Sequence, residues 1–218
     1  MPDQHARPLR ADARLNQDRL LEAAARAFAR DGAGASLKAI AADAGVGIGT
    51  LYRRFPTREH LVEATYRREV ARLCAAVPRL LTEHPPRVAL RRWMIGFADL
   101  MATKHGMADA LRALLADDDR MRTRAVLTEA LAALLEAGVA EGSVNRATDP
   151  YDVLLSLGGV AFVAAESVRV ERTHRIVDLL LDGVAPAGGA PISTPDGGAG
   201  YTATGPAGHA TTPNVTFW

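Results

Sequence analysis

Apolar positions along the chain recur at helical spacing almost throughout. Leu20 or Leu21, Ala24 and Phe28 fall on one face, and Gly32 follows where a helix would end. Leu37, Ile40, Ala41 and Ala44 make a second, shorter stripe, with Ser36 placed to cap it and Gly45 placed to stop it. Ile48 to Phe55 predicts a third short helix, with Leu51 and Phe55 four apart on the same face. Pro56-Thr57 opens a long fourth helix from Arg58, which Pro78 is expected to kink near its end. After the Pro85-Pro86 break, helical patterns follow at 86–104, 106–115, 120–140, 150–168 and 171–184. Alternating β-branched runs bounded by turns, the mark of strands, do not occur at convincing length. The pattern predicts an all-α protein.

Charge divides the chain where total composition does not. The 218 residues carry 26 Lys+Arg against 25 Asp+Glu, a formal net of +1. Residues 1–68 hold 12 basic and 8 acidic side chains, a net of +4, while 69–185 hold 14 and 16, a net of −2. A basic head on a slightly acidic body predicts that only the head meets a polyanion. Residues 186–218 contain seven Gly, five Pro and no Leu, too little apolar surface to offset ordering entropy, and read as a disordered tail. Cys74 is the single cysteine, so no internal disulfide forms and a reducing compartment fits. The apolar stretch Val153 to Ala165 is too short to span a bilayer, and the N-terminus lacks the apolar region of a signal peptide. The expectation is a cytoplasmic protein with no membrane partner.

The segment Ser36 to Phe55 carries the chemistry. It reads as a short helix, a tight Gly45-Val46-Gly47 turn, and a second short helix whose Ile40, Ala41, Val46, Leu51 and Phe55 face inward. Two helices of this size on so short a turn form a helix-turn-helix, whose second helix can enter the DNA major groove. Ser36, Lys38, Thr50, Tyr52, Arg53 and Arg58 supply basic and hydroxyl groups where phosphates would lie. Gly45-Val46-Gly47-Ile48-Gly49-Thr50 also imitates a phosphate loop. An Ala-rich helix precedes it instead of a strand, however, and no Lys stands in the Walker position.

The run from Gly45 to Leu61, with Leu20-Leu21-Glu22-Ala23-Ala24, Phe28 and Gly32 upstream, resembles the signature of TetR/AcrR-type transcriptional regulators. The resemblance implies an all-α homodimer: an N-terminal three-helix DNA-binding domain, then a larger helical domain for effector binding and dimerisation. It divides the chain into a flexible arm at 1–12, a DNA-binding domain at 13–73 with its helix-turn-helix at 36–55, a body at 74–185 and the tail at 186–218. It also implies that Tyr52 contacts a phosphate through its hydroxyl. Arg53 stands where the family often has His, and Arg58 where it often has Lys; both replacements keep a donor, and arginine also carries a permanent charge. Gly47 departs from the Ser or Thr common at that position, leaving the helix without a side-chain cap. The bare N–H groups from Gly47 to Gly49 can still approach a phosphate, Ile48 can touch a thymine methyl, and Thr50 a base or the backbone. The plainer alternatives are a packed ring for Tyr52 and a solvated face for Arg53, Arg54 and Arg58.

In the body, Trp93, Phe97 and Met101 recur every fourth residue, with Met107 beyond. Large soft side chains at this spacing can line an apolar effector pocket, with ordinary core packing as the rival. Leu157, Val160, Ala161 and Ala164, with Leu180 on the following helix, make apolar stripes wide enough to predict burial against a second copy. No catalytic motif and no His pairing for a metal site occur, so neither enzyme activity, metal nor cofactor is expected. Asp117-Asp118-Asp119 reads as a solvated helix start and Cys74 as a small core residue. The expected partners are double-stranded operator DNA, a second copy of the chain, and an unidentified apolar or amphipathic effector that releases a repressor. An all-α small-molecule-binding protein or enzyme without DNA binding, or an activator of the same fold, remains open.

Overall fold

The computed structural model describes residues 6–163 and 169–186; the tail from 187 onward lies outside the described residues. Every regular element among them is helical: α1 (Ala6–Asp31), a 3-10 turn (Gly32–Gly34), α2 (Leu37–Asp43), α3 (Ile48–Arg54), α4 (Arg58–Ala75), α5 (Val77–Glu83), α6 (Pro86–Gly106), α7 (Ala108–Leu114), α8 (Asp117–Glu141), α9 (Pro150–Val163) and α10 (Arg169–Gly183). None is long and apolar enough to cross a membrane.

Local chemistry sets most of the boundaries. The Ser36 hydroxyl accepts from the Ala39 N–H at 3.3 Å and starts α2. Thr57 does the same for α4 through the His60 N–H at 3.4 Å. Gly45, at φ +70°, ends α2 in a left-handed conformation that side-chain-bearing residues rarely adopt. Two boundaries differ from the sequence reading. α1 begins at Ala6, inside the segment expected to be a flexible arm, and the Ala, Arg and Leu found there are strong helix formers. Pro78 does not kink α4. That helix stops at Ala75, and the proline sits in the first turn of a separate α5, where its missing N–H costs nothing.

α1, α2, α3 and the start of α4 pack into a head around Leu20, Phe28, Ile40, Leu51 and Leu61, each almost wholly buried. The body gathers α4 to α10 around α6, whose Leu90, Trp93, Met94 and Phe97 are fully buried. Tyr66 of α4 joins this core beneath α8; burial pushes its phenol up to about 12, a hydrogen bond with Thr123 partly opposing the shift. Ionic clamps pin α10 to α6. Arg91 forks onto Asp178 at 2.5 and 2.9 Å, and Arg87 reaches Asp182 at 2.7 Å and the Leu181 carbonyl at 3.0 Å. The guanidinium of Arg91 holds the Asp178 carboxyl below its ordinary range.

Candidate nucleic-acid interface and the body behind it

α3 separates its residues by face. Leu51 is completely buried and Phe55 nearly so, while Tyr52 is 48% exposed and Ile48 39%. Thr50 is half-buried, and Arg53 and Arg54 are exposed. The inward pair fixes the helix in the head core beside α2, so the residues between them project outward. Gly47 caps the helix without a side-chain hydrogen bond, and a Cβ on Gly47 or Gly49 would meet nothing within 4 Å. The leading end of α3 is therefore bare backbone flanking one apolar side chain.

The basic residues of the head have different surroundings. Arg53 makes no hydrogen bond or ion pair among the described residues, and Lys38 on α2 is likewise exposed and unpaired. Arg54 donates to the Gln17 side chain of α1. Ser36 is engaged as the α2 cap. Arg58 departs most from its expected place: it donates to the carbonyls of Ala33 and Ala35, both at 2.7 Å, and its guanidinium lies 5.4 Å from the Phe28 ring centroid. Ser36, Lys38, Gly47, Ile48, Gly49, Thr50, Tyr52 and Arg53 share the α2–α3 unit; Arg58 turns back from it into the protein. Sequence reasoning missed this because carbonyl acceptors carry no side-chain signal.

The body residues are also more inward than their spacing suggested. Trp93 and Phe97 stack at 5.8 Å between centroids, both with no exposed surface, and the Trp93 indole N–H donates to the Leu73 carbonyl at 3.2 Å. Met101 is half-buried. Met107 is buried and borders a cleft of about 340 Å³ between head and body, which Trp93, Phe97 and Met101 do not line. Lys104, on the same helix, is half-buried; burial first, then the nearby Arg120 and Arg124, push its pKa down. Asp117 and Asp119 pair with Arg120 and Arg122 at 3.2 and 2.8 Å, as befits a solvated helix start.

Of the expected dimer residues, Leu157 needs correction. Leu157 is 2% exposed within one chain, packed with Val153 and Leu154 beneath α9, and Leu180 is half-buried against the same core. The single chain already buries Leu157 in its own body, so this residue has no surface left for a partner. Val160 and Ala161 belong to α9, but their side chains, and the whole of Ala164, lie outside the described residues. Among the described side chains of these helices, the large apolar groups turned outward are Leu155 and Tyr151 on α9 and, most of all, Leu179 on α10, which is 69% exposed. The sequence held the signal, since Leu179 sits one residue beyond Asp178, but a wide apolar stripe does not reveal which edge faces inward.

Both halves match known family profiles. Residues 20–65 match the profile of bacterial regulatory proteins of the tetR family, and residues 85–186 that of the SbtR-like transcriptional regulator C-terminal domain. No curated protein gives a match. Among solved structures, a TetR transcriptional regulator from Streptomyces coelicolor is 46% identical, with a TM-score of 0.73 over 78% of this chain and 98% of its own. A TetR transcription regulatory protein from Mycobacterium vanbaalenii is 32% identical, with a TM-score of 0.66 over 82% of this chain and all of its own. With that identity across nearly the whole of both relatives, and with the helix-turn-helix and helical body in the same order, this chain belongs to the TetR family of transcriptional regulators.

Proposed function

We propose that this protein is a ligand-responsive repressor that binds a palindromic operator as a homodimer. The division of α3 carries the reading: Leu51 and Phe55 lock the helix from within, while Thr50, Tyr52 and the unpaired Arg53 face outward beside bare glycine backbone. Tyr52, Arg53 and Lys38 engage phosphates and fix register, while Ile48 and Thr50 meet base edges in the major groove. Two heads reading one site must present their α3 helices roughly 34–36 Å apart. Dimerisation runs through the outward faces of α9 and α10, where Leu155 and Leu179 gain burial.

Release by a small apolar or amphipathic effector follows if the effector binds the body better when the heads are spread. A tenfold loss of operator affinity needs about 1.4 kcal/mol of coupling, and bound operator must weaken effector binding by the same factor. An effector that touches Trp93 or Phe97 has to open the packed core of α6; one that touches Met107 can enter from the cleft.

Selection of duplexes from fragmented genomic DNA, followed by anisotropy titration across salt concentrations, tests the reading. The expected result is one enriched palindrome bound by two copies, with affinity falling steeply as salt rises. Binding that is absent, or equal for all sequences, would favour a body-centred small-molecule binder. A reporter placed behind the enriched sequence distinguishes repression from activation.

A further inference from the structure

The chain between α1 and α2 is held from two sides. Arg58 is the first residue of α4, and its side chain folds back onto that connection instead of extending outward. Its two terminal nitrogens donate to Ala33 and Ala35, and its flat cation covers Phe28. Those carbonyls lie just ahead of Ser36, the cap from which α2 starts. From the body, α6 ends against the same turn. A Cβ on Gly106 would stand 2.1 Å from the Phe28 carbonyl oxygen and 3.3 Å from the Gly32 Cα, so only glycine permits this backbone-to-backbone approach. The cleft of about 340 Å³ lies beside this junction, bordered by Phe28, Arg58, Val62, His105 and Met107.

We propose that Arg58 is a positioning residue for the recognition unit and not a phosphate ligand. It fastens the α1–α2 connection to the head of α4 and so sets the angle at which α2 and α3 meet DNA. Position and residue type both support this. A planar guanidinium can donate to two carbonyls two residues apart while lying on a ring, whereas a lysine ammonium is a single compact charge that cannot span all three. The inference rests on the operator-binding reading and names the residue that sets its geometry.

The substitution Arg58→Lys separates the two roles because it keeps the charge. The full-length protein is titrated against the selected operator duplex and a random-sequence duplex of equal length, across a salt series. Expected for R58K is a fall of about tenfold in operator affinity with random-sequence affinity unchanged, so that the specificity ratio falls by the same factor. The slope of log K against log salt should match wild type, since no phosphate contact is lost. A merely structural fault in the head would weaken both duplexes together. Operator affinity equal to wild type, or a proportional loss on both duplexes, would overturn the proposal. Circular dichroism at the assay temperature checks that R58K keeps its helices. Should it lose them, Phe28→Leu, which takes away the ring under the guanidinium but keeps an apolar side chain in the head core, is expected to lower operator affinity by about threefold with the same selectivity, its helices checked in the same way. An F28L protein as selective as wild type would then overturn it. Failure of the wild-type protein to enrich any duplex would sink the operator reading itself, a result distinct from normal binding by R58K.

Discussion

Helices α3 and α6 both carry large side chains at helical spacing, and they use them in opposite ways. On α3, Leu51 and Phe55 go inward, and Tyr52 between them keeps nearly half its surface open. On α6, Trp93 and Phe97 are stacked and sealed, and even the indole N–H is satisfied internally. The contrast shows that an aromatic's type says little about its task; what counts is whether the structure has already met its needs. A polar tip left exposed on a short helix awaits a partner, whereas a polar tip bonded to a buried carbonyl already has one.

The contrast breaks first, and hardest, at Trp93. As a core residue it should cost about 3–5 kcal/mol when replaced by alanine, read as a lowered urea midpoint with the effector absent. A Trp93→Ala protein as stable as wild type would mean that the ring lines a tolerant pocket instead. Next come two leucines of the body. Leu157→Glu should unfold the body, since it buries a charge in the single chain. Leu179→Glu should leave the fold intact and weaken the dimer, removing the roughly 1.5–3 kcal/mol that burying such a side chain contributes. Sedimentation equilibrium checks both, and a dimer undisturbed by L179E would move the seam away from the outer face of α10.

On the α3 side, Arg53→Ala should leave stability within about 0.5 kcal/mol, as expected for an exposed residue without partners among the described residues. It should also make the salt slope of operator binding shallower by about one phosphate's worth. A large loss of stability would place Arg53 with Arg58 among the internal clamps. The smallest effect concerns Cys74. Burial, followed by the charge of Glu129, raises its thiol, and its sulfur lies 3.7 Å from the Val126 carbonyl oxygen. Alkylation near neutral pH should therefore be slower in the folded protein than in urea, rising only at more alkaline pH as thiolate forms. Rapid labelling of the native protein would expose a reactive site in the body.

Much of the head was legible because its signals are local. Ser36, Gly45 and Thr57 mark helix ends through chemistry completed within a few residues, and the Leu51–Phe55 face follows from one helical period. The body's boundaries were nearly as clear, Pro78 being misplaced only in degree. Side-chain fates were harder. Whether Leu157 or Leu179 faces a partner depends on how α9 and α10 settle onto α6, contacts that for α10 include the Arg87 and Arg91 clamps across some 90 residues. Arg58 eluded sequence reasoning for a related reason: its acceptors are main-chain oxygens 23 and 25 residues away.

α6 joins two of these features in one continuous rod. Near its start, Arg87 and Arg91 grip α10; at its end, Gly106 rests on the turn beneath the reading head. The fifteen steps from Arg91 to Gly106 span about 22 Å at the helical rise, so one helix links the α10 clamps to the turn beneath the head. A tilt of about 5° there sweeps the far tip through about 2 Å. In the proposed two-fold dimer the partner's α6 would tilt symmetrically, and the gap between heads would change by up to about 4 Å, more than one base-pair step of B-DNA at about 3.4 Å. Because α6 is also the buried centre of the body, any such tilt would have to carry the helices packed on it, so core and head spacing would change together in the proposed dimer.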